Sequence, residues 1–333
     1  MKTAVIGAGA IGGLTAGYLA NAGEDVTLIA RPNQAAVIAR DGLTIEGARG
    51  KISVRLPVKA RLDEDAHLVI LAVKTQDVEQ VILDNINYLR QAFILTTQNG
   101  VRAERIVTAK LDSKQVFPSI VMFGATCLSP GKITHNFEGN WILGDNPASA
   151  AGSLERIRQV TSRAFPSPVS EEVMGMKWLK LFINANNCLP AILGKSMQET
   201  FKNTSICKIS LRLWAEGWDI VNKAKIQISS LPDFPKERLS GLLAMPLEQA
   251  AVIYSGIMTN LSKEPLYGSI LQSIKRGRPS EIDYINGEFV TLARGAGRRA
   301  PLNEKLVRMV HNVEKSGQFL SEDELLNQTE TLL

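Results

Sequence analysis

Several groups of residues in this sequence have types and spacings that could do chemistry. Gly7-Ala8-Gly9-Ala10-Ile11-Gly12 is a GxGxxG run. In such a run the first glycine permits a tight turn, the second lets the backbone approach a pyrophosphate, and the third lets a helix pack close to a strand. Residues 172–194 have a helical pattern. At about 100° per residue, Lys180, Asn184 and Asn187 then lie at roughly 0°, 40° and −20°, on one face. An amine flanked by Leu181, Phe182 and Ile183 can have a lowered pKa, which makes it a usable proton donor. Lys177 is rotated about 60° off that face. Lys74 and Asn99 follow the apolar runs His67–Val73 and Phe93–Thr97. In open α/β sheets, ligands bind outside the carboxyl ends of such strands. Ser269 and Glu281 bracket a polar segment that opens a helix. Pro279 to Asp283 reads as that helix start, with Ser280 as N-cap and Asp283 at N3.

These residues need elements to hold them. The stretch from Thr3 to Gly23 is apolar and uncharged, and Gly9, Gly13 and Gly17 form GxxxGxxxG. Composition alone admits a signal peptide or a membrane span. A nucleotide fold explains more: a strand over Lys2–Ile6, the glycine turn, a helix over Ile11–Ala22 and a second strand over Val26–Ala30. The phosphates would face the helix N-terminus. Arg31 ends the second strand, where an NAD-binding fold usually carries Asp or Glu. An Arg there can pair with a 2′-phosphate, which favours NADP(H).

Further along, Leu43–Ile45 and Lys51–Leu56 read as a hairpin and Val116–Val121 as another strand. Lys132–Gly144 reads as a closing strand pair that carries His135. Ala150–Ala164 reads as a helix. Residues 1–167 are expected to form a Rossmann-like doubly wound α/β domain that binds the cofactor. Residues 168–333 are expected to form an all-α domain for substrate and catalysis, with Lys180 pointing into a cleft.

Composition removes other classes. Hydrophobic residues make up 45% and charged residues 21% of the 333, which argues against disorder, collagen or coiled coil. The net charge is only +5; it suits an anionic small molecule as well as nucleic acid. The basic run Lys275-Arg276-Gly277-Arg278, with Arg294, Arg298 and Arg299, has no aromatic interleaving, so nucleic acid is not expected. Cys127, Cys188 and Cys207 are odd in number and form no CxxC pair. That argues for a reducing, cytoplasmic compartment without a disulfide framework. The histidines His67, His135 and His311 have no metal-ligand spacing, so no metal is expected.

Taken together, IGAGAIGG at the N-terminus, Arg31 after VTLIA, AVKTQD, TQNGV, the W-x-K-L-x-x-N helix and GRPSEIDYING resemble the ketopantoate reductase (2-dehydropantoate 2-reductase) family. They keep that family's order over nearly the whole chain. The resemblance implies NADPH-dependent reduction of a 2-keto acid, in the family's case ketopantoate to pantoate on the route to pantothenate and coenzyme A. It implies Lys180 rather than Lys177 as general acid, beside Glu281. Asn184, Asn187 and Ser269 are the implied substrate-binding residues. Gly7, Ala8, Gly9, Ala10, Ile11, Gly12, Arg31, Lys74 and Asn99 are implied on the cofactor side. Two positions depart from the family pattern. Cys188 stands eight residues after the lysine, where a second Asn is usual, and Ser273 stands four after Ser269 in place of Asp. A reductase or dehydrogenase of another 2-keto or 2-hydroxy acid on the same scaffold therefore stays open. So do a non-catalytic NADP(H)-binding sensor and a homodimeric state.

Overall fold

The computed structural model describes residues 1–262 and 264–332. The chain divides into two units, one of residues 1–98 and 102–174, the other of 99–101 and 175–333.

The first unit is built on short apolar runs. Strands β1 (Thr3–Ile6), β2 (Val26–Ile29), β3 (Leu43–Gly47), β4 (Ile52–Val54), β5 (Val58–Lys59), β6 (Leu68–Leu71), β7 (Phe93–Thr96), β8 (Val116–Val121), β9 (Gly124–Ser129), β10 (Lys132–Phe137), β11 (Trp141–Gly144) and β12 (Val169–Ser170) form two sheets. The larger sheet has the order β12-β11-β8-β7-β6-β1-β2-β5, and only β11 runs antiparallel to its neighbour β8. Its residues alternate between two cores. Val5, Leu28, Ile70 and Leu95 face one, and Ile6, Ile29, Val69 and Ile94 face the other. Burial on both faces explains why these strands are continuous apolar runs. The helices α1 (Ala10–Asn21), α2 (Pro32–Asp41), α3 (Val78–Asn85), α4 (Ala103–Thr108) and α5 (Ser153–Thr161) complete the unit.

The small sheet, in the order β4-β3-β10-β9, explains the membrane-like N-terminus. Helix α1 is buried without interruption from Gly12 to Leu19. A Cβ on Gly13 would meet Ile133 of β10 at 2.9 Å, and one on Gly17 would meet Ile45 of β3. The glycine spacing is thus a helix-on-sheet seam. Among the described residues no helix is long and apolar enough to cross a membrane.

This layout corrects the expected closing pair at Lys132–Gly144. β10 pairs with β9 and β3, whereas β11 joins the large sheet beside β8. Trp141 is fully buried and its indole donates to Ser119 on β8, which fixes that choice. His135 of β10 is buried in an aromatic group with Tyr18 and Phe165. Its Nδ1 lies 2.9 Å from the Tyr18 hydroxyl, and burial lowers its pKa.

The second unit is helical: α6 (Val173–Ala185), which the unit boundary cuts at Gly175, then α7 (Cys188–Leu193), α8 (Met197–Phe201), α9 (Thr204–Lys223), α10 (Lys236–Ala244), α11 (Leu247–Thr259), α12 (Ser269–Lys275), α13 (Ile282–Gly295), α14 (Pro301–Ser316) and α15 (Glu322–Thr329). The 20-residue α9 packs on α8, α10, α11, α13, α14 and α15. Gly217 of α9 leaves room for Phe182 and Phe289, whose ring centroids are 4.9 Å apart.

The expected single helix over 172–194 is two helices. Asn186 and Asn187 interrupt it, with Asn187 at the N-cap of α7. Side chains take over the carbonyls that a helix end leaves unpaired. The Trp214 indole donates to the Phe182 carbonyl at 2.7 Å, and Asn286 Nδ2 donates to the Ala185 carbonyl at 3.2 Å.

Candidate functional site

In the first unit, the large sheet reverses its winding between β1 and β6, which defines a ligand crevice at their carboxyl ends. The glycine loop leaves β1 at this point. Gly7 has φ +115°, and a Cβ there would lie 2.8 Å from the Ala72 backbone that follows β6. A Cβ on Gly12 would strike the Gly7 carbonyl and lie 2.9 Å from the Ala72 Cβ. Gly9 is different: it is the N-cap of α1, and a Cβ on it would meet nothing within 4 Å. Open space in front of unpaired helix amides fits a pyrophosphate. Ala8 is buried beside it, and Ala10 and Ile11 form the partly exposed first turn.

Arg31 follows β2 at the N-cap of α2. Its guanidinium is 72% exposed and 3.3 Å from Asp77. Asp77 closes the turn Thr75–Asp77, whose N-cap is Lys74, directly beyond β6. The structure therefore brings Arg31, Asp77 and Lys74 to one rim. Such exposed ion pairs are weak and readily exchanged. Gln98 is a residue the sequence reading missed. It is buried, and its amide donates to the Leu71 and Val73 carbonyls, both at 2.9 Å, so it ties the end of β7 to the strand end that presents Lys74.

Asn99 follows Gln98 but belongs with Gly100 and Val101 to the second unit. Gly100, at φ +86°, sits so close to the Tyr284 carbonyl that a Cβ would lie within about 2.5 Å of it.

In the second unit, Lys180 is half-buried on α6. Burial, reinforced by the Lys177 ammonium, lowers its pKa to about 8, while the Glu281 carboxylate pulls the other way. Glu281 is thus close enough to act on Lys180 electrostatically. An amine titrating near 8 is matched to proton donation near neutral pH. Lys177 is the more buried of the two lysines, with 2% exposure, and one turn separates them. The sequence reading placed Lys177 off the functional face and did not anticipate a buried cation.

Asn184 lies one turn beyond Lys180 on the same helix, half-buried. Asn187 is carried by the break rather than by the α6 face, which corrects the helical projection. It is buried, and a Cβ on Gly268 would lie 3.0 Å from its amide carbon. Gly268 is the N-cap of α12 and precedes the exposed Ser269. The structure thus joins Asn187 to the Ser269 region by a route the sequence did not suggest. Asn186, also missed, is buried and donates to the Tyr254 hydroxyl at 2.8 Å.

The expected capping box at α13 does not form. Glu281, not Ser280, is the N-cap, and Asp283 has turned to His311 at 3.0 Å. The Ile282 amide instead donates to the Ser280 hydroxyl, and the Ser280 amide donates to Glu314. Competition from a tertiary carboxylate moved the helix start by one residue. No group of His, Cys, Asp and Glu that could hold a metal is found among the described residues. Burial pushes the Cys188 thiol up to about 12, so it is not a nucleophile.

Comparison with known proteins follows the same division. The family model "Ketopantoate reductase PanE/ApbA" matches residues 3–148, and its C-terminal counterpart matches residues 172–314. The chain is 31% identical to the 2-dehydropantoate 2-reductase of Pyrococcus horikoshii, over 95% of this chain and 99% of that one. Among solved structures, a PanE/ApbA family ketopantoate reductase from Ralstonia eutropha matches with a TM-score of 0.80 at 24% identity, covering 95% of this chain and 99% of that one. A D-mandelate dehydrogenase solved with NADH and anilino(oxo)acetate matches with a TM-score of 0.79 at 22% identity, over 95% and 99%. At these identities the two structures speak for the fold.

Proposed function

The chain belongs to the ketopantoate reductase family, an NAD(P)-dependent oxidoreductase family acting on CH–OH groups, and from that membership we infer that it reduces 2-dehydropantoate to pantoate with NADPH. The reaction would serve the formation of pantothenate and coenzyme A. The observation that carries this reading is Lys180, an amine with a pKa near 8 under the influence of Glu281, one helical turn before Asn184.

Bound NADPH supplies the hydride that reduces the keto carbon. The carbonyl oxygen gains negative charge as the carbon is reduced. The Lys180 ammonium donates its proton to that oxygen, and its charge stabilises the oxygen before the proton moves. The Glu281 carboxylate accepts a hydrogen bond from the amine and holds it in its charged form. Asn184, Asn187 and Ser269 bind the substrate carboxylate and hydroxyl. The amides at the start of α1 would hold the pyrophosphate, Arg31 would exchange Asp77 for the 2′-phosphate, and Lys74 and Asn99 are the further residues assigned to the cofactor.

A second reading is favoured by one observation. Asn187 is a buried N-cap, and Cys188 occupies the position eight after the lysine. This departure from the family pattern suits a different 2-keto or 2-hydroxy acid on the same machinery. NADPH consumption with ketopantoate against close 2-keto acid analogues tests both. Turnover that is best with ketopantoate supports the first reading. An inert ketopantoate beside a rapidly reduced analogue replaces it with the second.

A further inference from the structure

Helix α13 begins at Glu281 without a side-chain cap of its own. The residue before it is held from another helix. Ser280 is buried, and its amide donates to Glu314 Oε1 of α14 at 2.7 Å. The other oxygen of Glu314 lies 3.0 Å from His311 Nδ1, and His311 Nε2 lies 3.0 Å from Asp283 in the first turn of α13. The three side chains therefore clasp both sides of Glu281. A neutral imidazole has one N–H and can donate to only one of these carboxylates; an imidazolium donates to both.

We propose that Glu314, held by His311, is a positioning residue that fixes the start of α13 and so sets the Glu281 carboxylate against Lys180. The proposal rests on the roles given above to Lys180 and Glu281. The charges that act on Lys180 are Lys177 on its own helix and Glu281. His311 faces Asp283 and Glu314, and Lys305 and Arg308 line the same surface hollow. Burial alone would raise the Glu314 carboxyl, but the hydrogen bonds from Ser280 and His311 hold it below its usual range. Burial alone would lower the His311 pKa, but its two carboxylate partners hold it above its usual value. The two carboxylates thus favour the imidazolium, the form that donates to both of them.

The test measures kcat, KM and the pH profile of NADPH-dependent ketopantoate reduction, or of the best 2-keto acid found, in the full chain. Glu314→Ala should lower kcat about 10- to 10²-fold, the scale of a slightly misplaced catalytic group. KM for NADPH should be unchanged. The alkaline limb of kcat should move to lower pH, because a loosened Glu281 no longer raises the Lys180 pKa. Glu314→Gln, whose amide oxygen can still accept from the Ser280 amide, should recover most of kcat. A folded Glu314→Ala protein with wild-type kcat overturns the proposal. So does one with reduced kcat and an unmoved limb, which would mark Glu314 as merely structural. If Glu314→Ala does not fold, His311→Gln decides, with the same limb shift expected and an unmoved limb overturning it. Lys180→Ala runs in parallel. If it retains kcat, the underlying reading fails and this one with it. If it is inactive while Glu314→Ala is normal, only the clasp fails.

Discussion

Helices α1 and α6 are the two elements assigned to the chemistry, and they serve it in opposite ways. The start of α1 works through backbone: Gly7, Gly9 and Gly12 are there for what they lack, and no ionisable side chain stands in the loop. Helix α6 works through side chains, with Lys177 and Lys180 half-buried or buried one turn apart and Asn184 a turn further on. Backbone recognition is encoded by local sterics, so a short motif is enough to reveal it. A tuned amine depends on what the rest of the chain packs around it. Glu281 lies 101 residues away in sequence (281 − 180) and is brought in only by the packing of α13.

The sharpest way to break this comparison is to remove the side chain and leave the backbone site intact. Lys180→Ala should lower kcat about 10²- to 10⁴-fold, the range for losing a positioned general acid. NADPH affinity, read by nucleotide fluorescence, should stay within error. Retention of wild-type kcat in a folded, NADPH-binding variant would end the assigned chemistry.

The converse experiment disables the cofactor side. Arg31→Asp should weaken NADPH about 10- to 10²-fold, since a charge-assisted bond worth about 1.5–3 kcal/mol is lost and repulsion replaces it. NADH affinity should change little. Equal losses for the two nucleotides would show that Arg31 does not read the 2′-phosphate. Gly9→Ala sharpens the same point. Its Cβ projects into open space, so melting temperature should hold while both nucleotides bind more weakly. Gly7→Ala should instead destabilise the fold, at a cost of about 1–3 kcal/mol for a non-glycine residue held at positive φ.

The contrast also accounts for what could be read in the sequence. The strand, loop, helix and strand of the N-terminus carry their own steric signature, and the parallel strands are legible because burial on both faces makes them uniformly apolar. Lys180 and Asn184 share a face by helical period alone. The break at Asn186 and Asn187 is not a local event. It needs the Trp214 indole and the Asn286 amide to satisfy carbonyls of α6, and both donors come from other helices. The start of α13 moved for a similar reason, because Glu314 took the Ser280 amide and His311 took Asp283. The second sheet was hidden because the first paired positions of β3 and β10, Thr44 and Lys132, are 88 residues apart (132 − 44). In each case the deciding partner is distant in sequence, where periodicity carries no information.

The rate profile should show the tuned amine directly. With Lys180 as the proton donor, kcat should be flat well below pH 8 and fall about tenfold per pH unit well above its pKa of about 8. Lys180→Arg keeps a charge that does not titrate in this range, and any residual activity it has should lack that limb. A wild-type profile flat to pH 10 would place the proton donor elsewhere.

The smallest expected effect is on stability, and it isolates what tuning this amine does to the fold. Lys180 has a folded pKa of about 8 and an unfolded value of 10.5. Between those two values the unfolded chain binds more protons than the native one, so this group makes stability rise with pH. Below pH 8 both states are protonated and its contribution is constantly unfavourable. Other buried groups run the opposite way: Cys188 and Tyr254 have raised pKa values, so the native state keeps protons that the unfolded chain releases. Their slopes cancel when wild type is compared with Lys180→Met at each pH. The variant, which buries a thioether of similar length, should melt higher at pH 7, by about 2–4 °C for each kcal/mol relieved. Its advantage should shrink as pH climbs from 8 towards 10.5. A wild-type protein that melts above Lys180→Met at pH 7, with a gap that does not vary with pH, would show that Lys180 is an ordinary solvated lysine and that burial does not tune it.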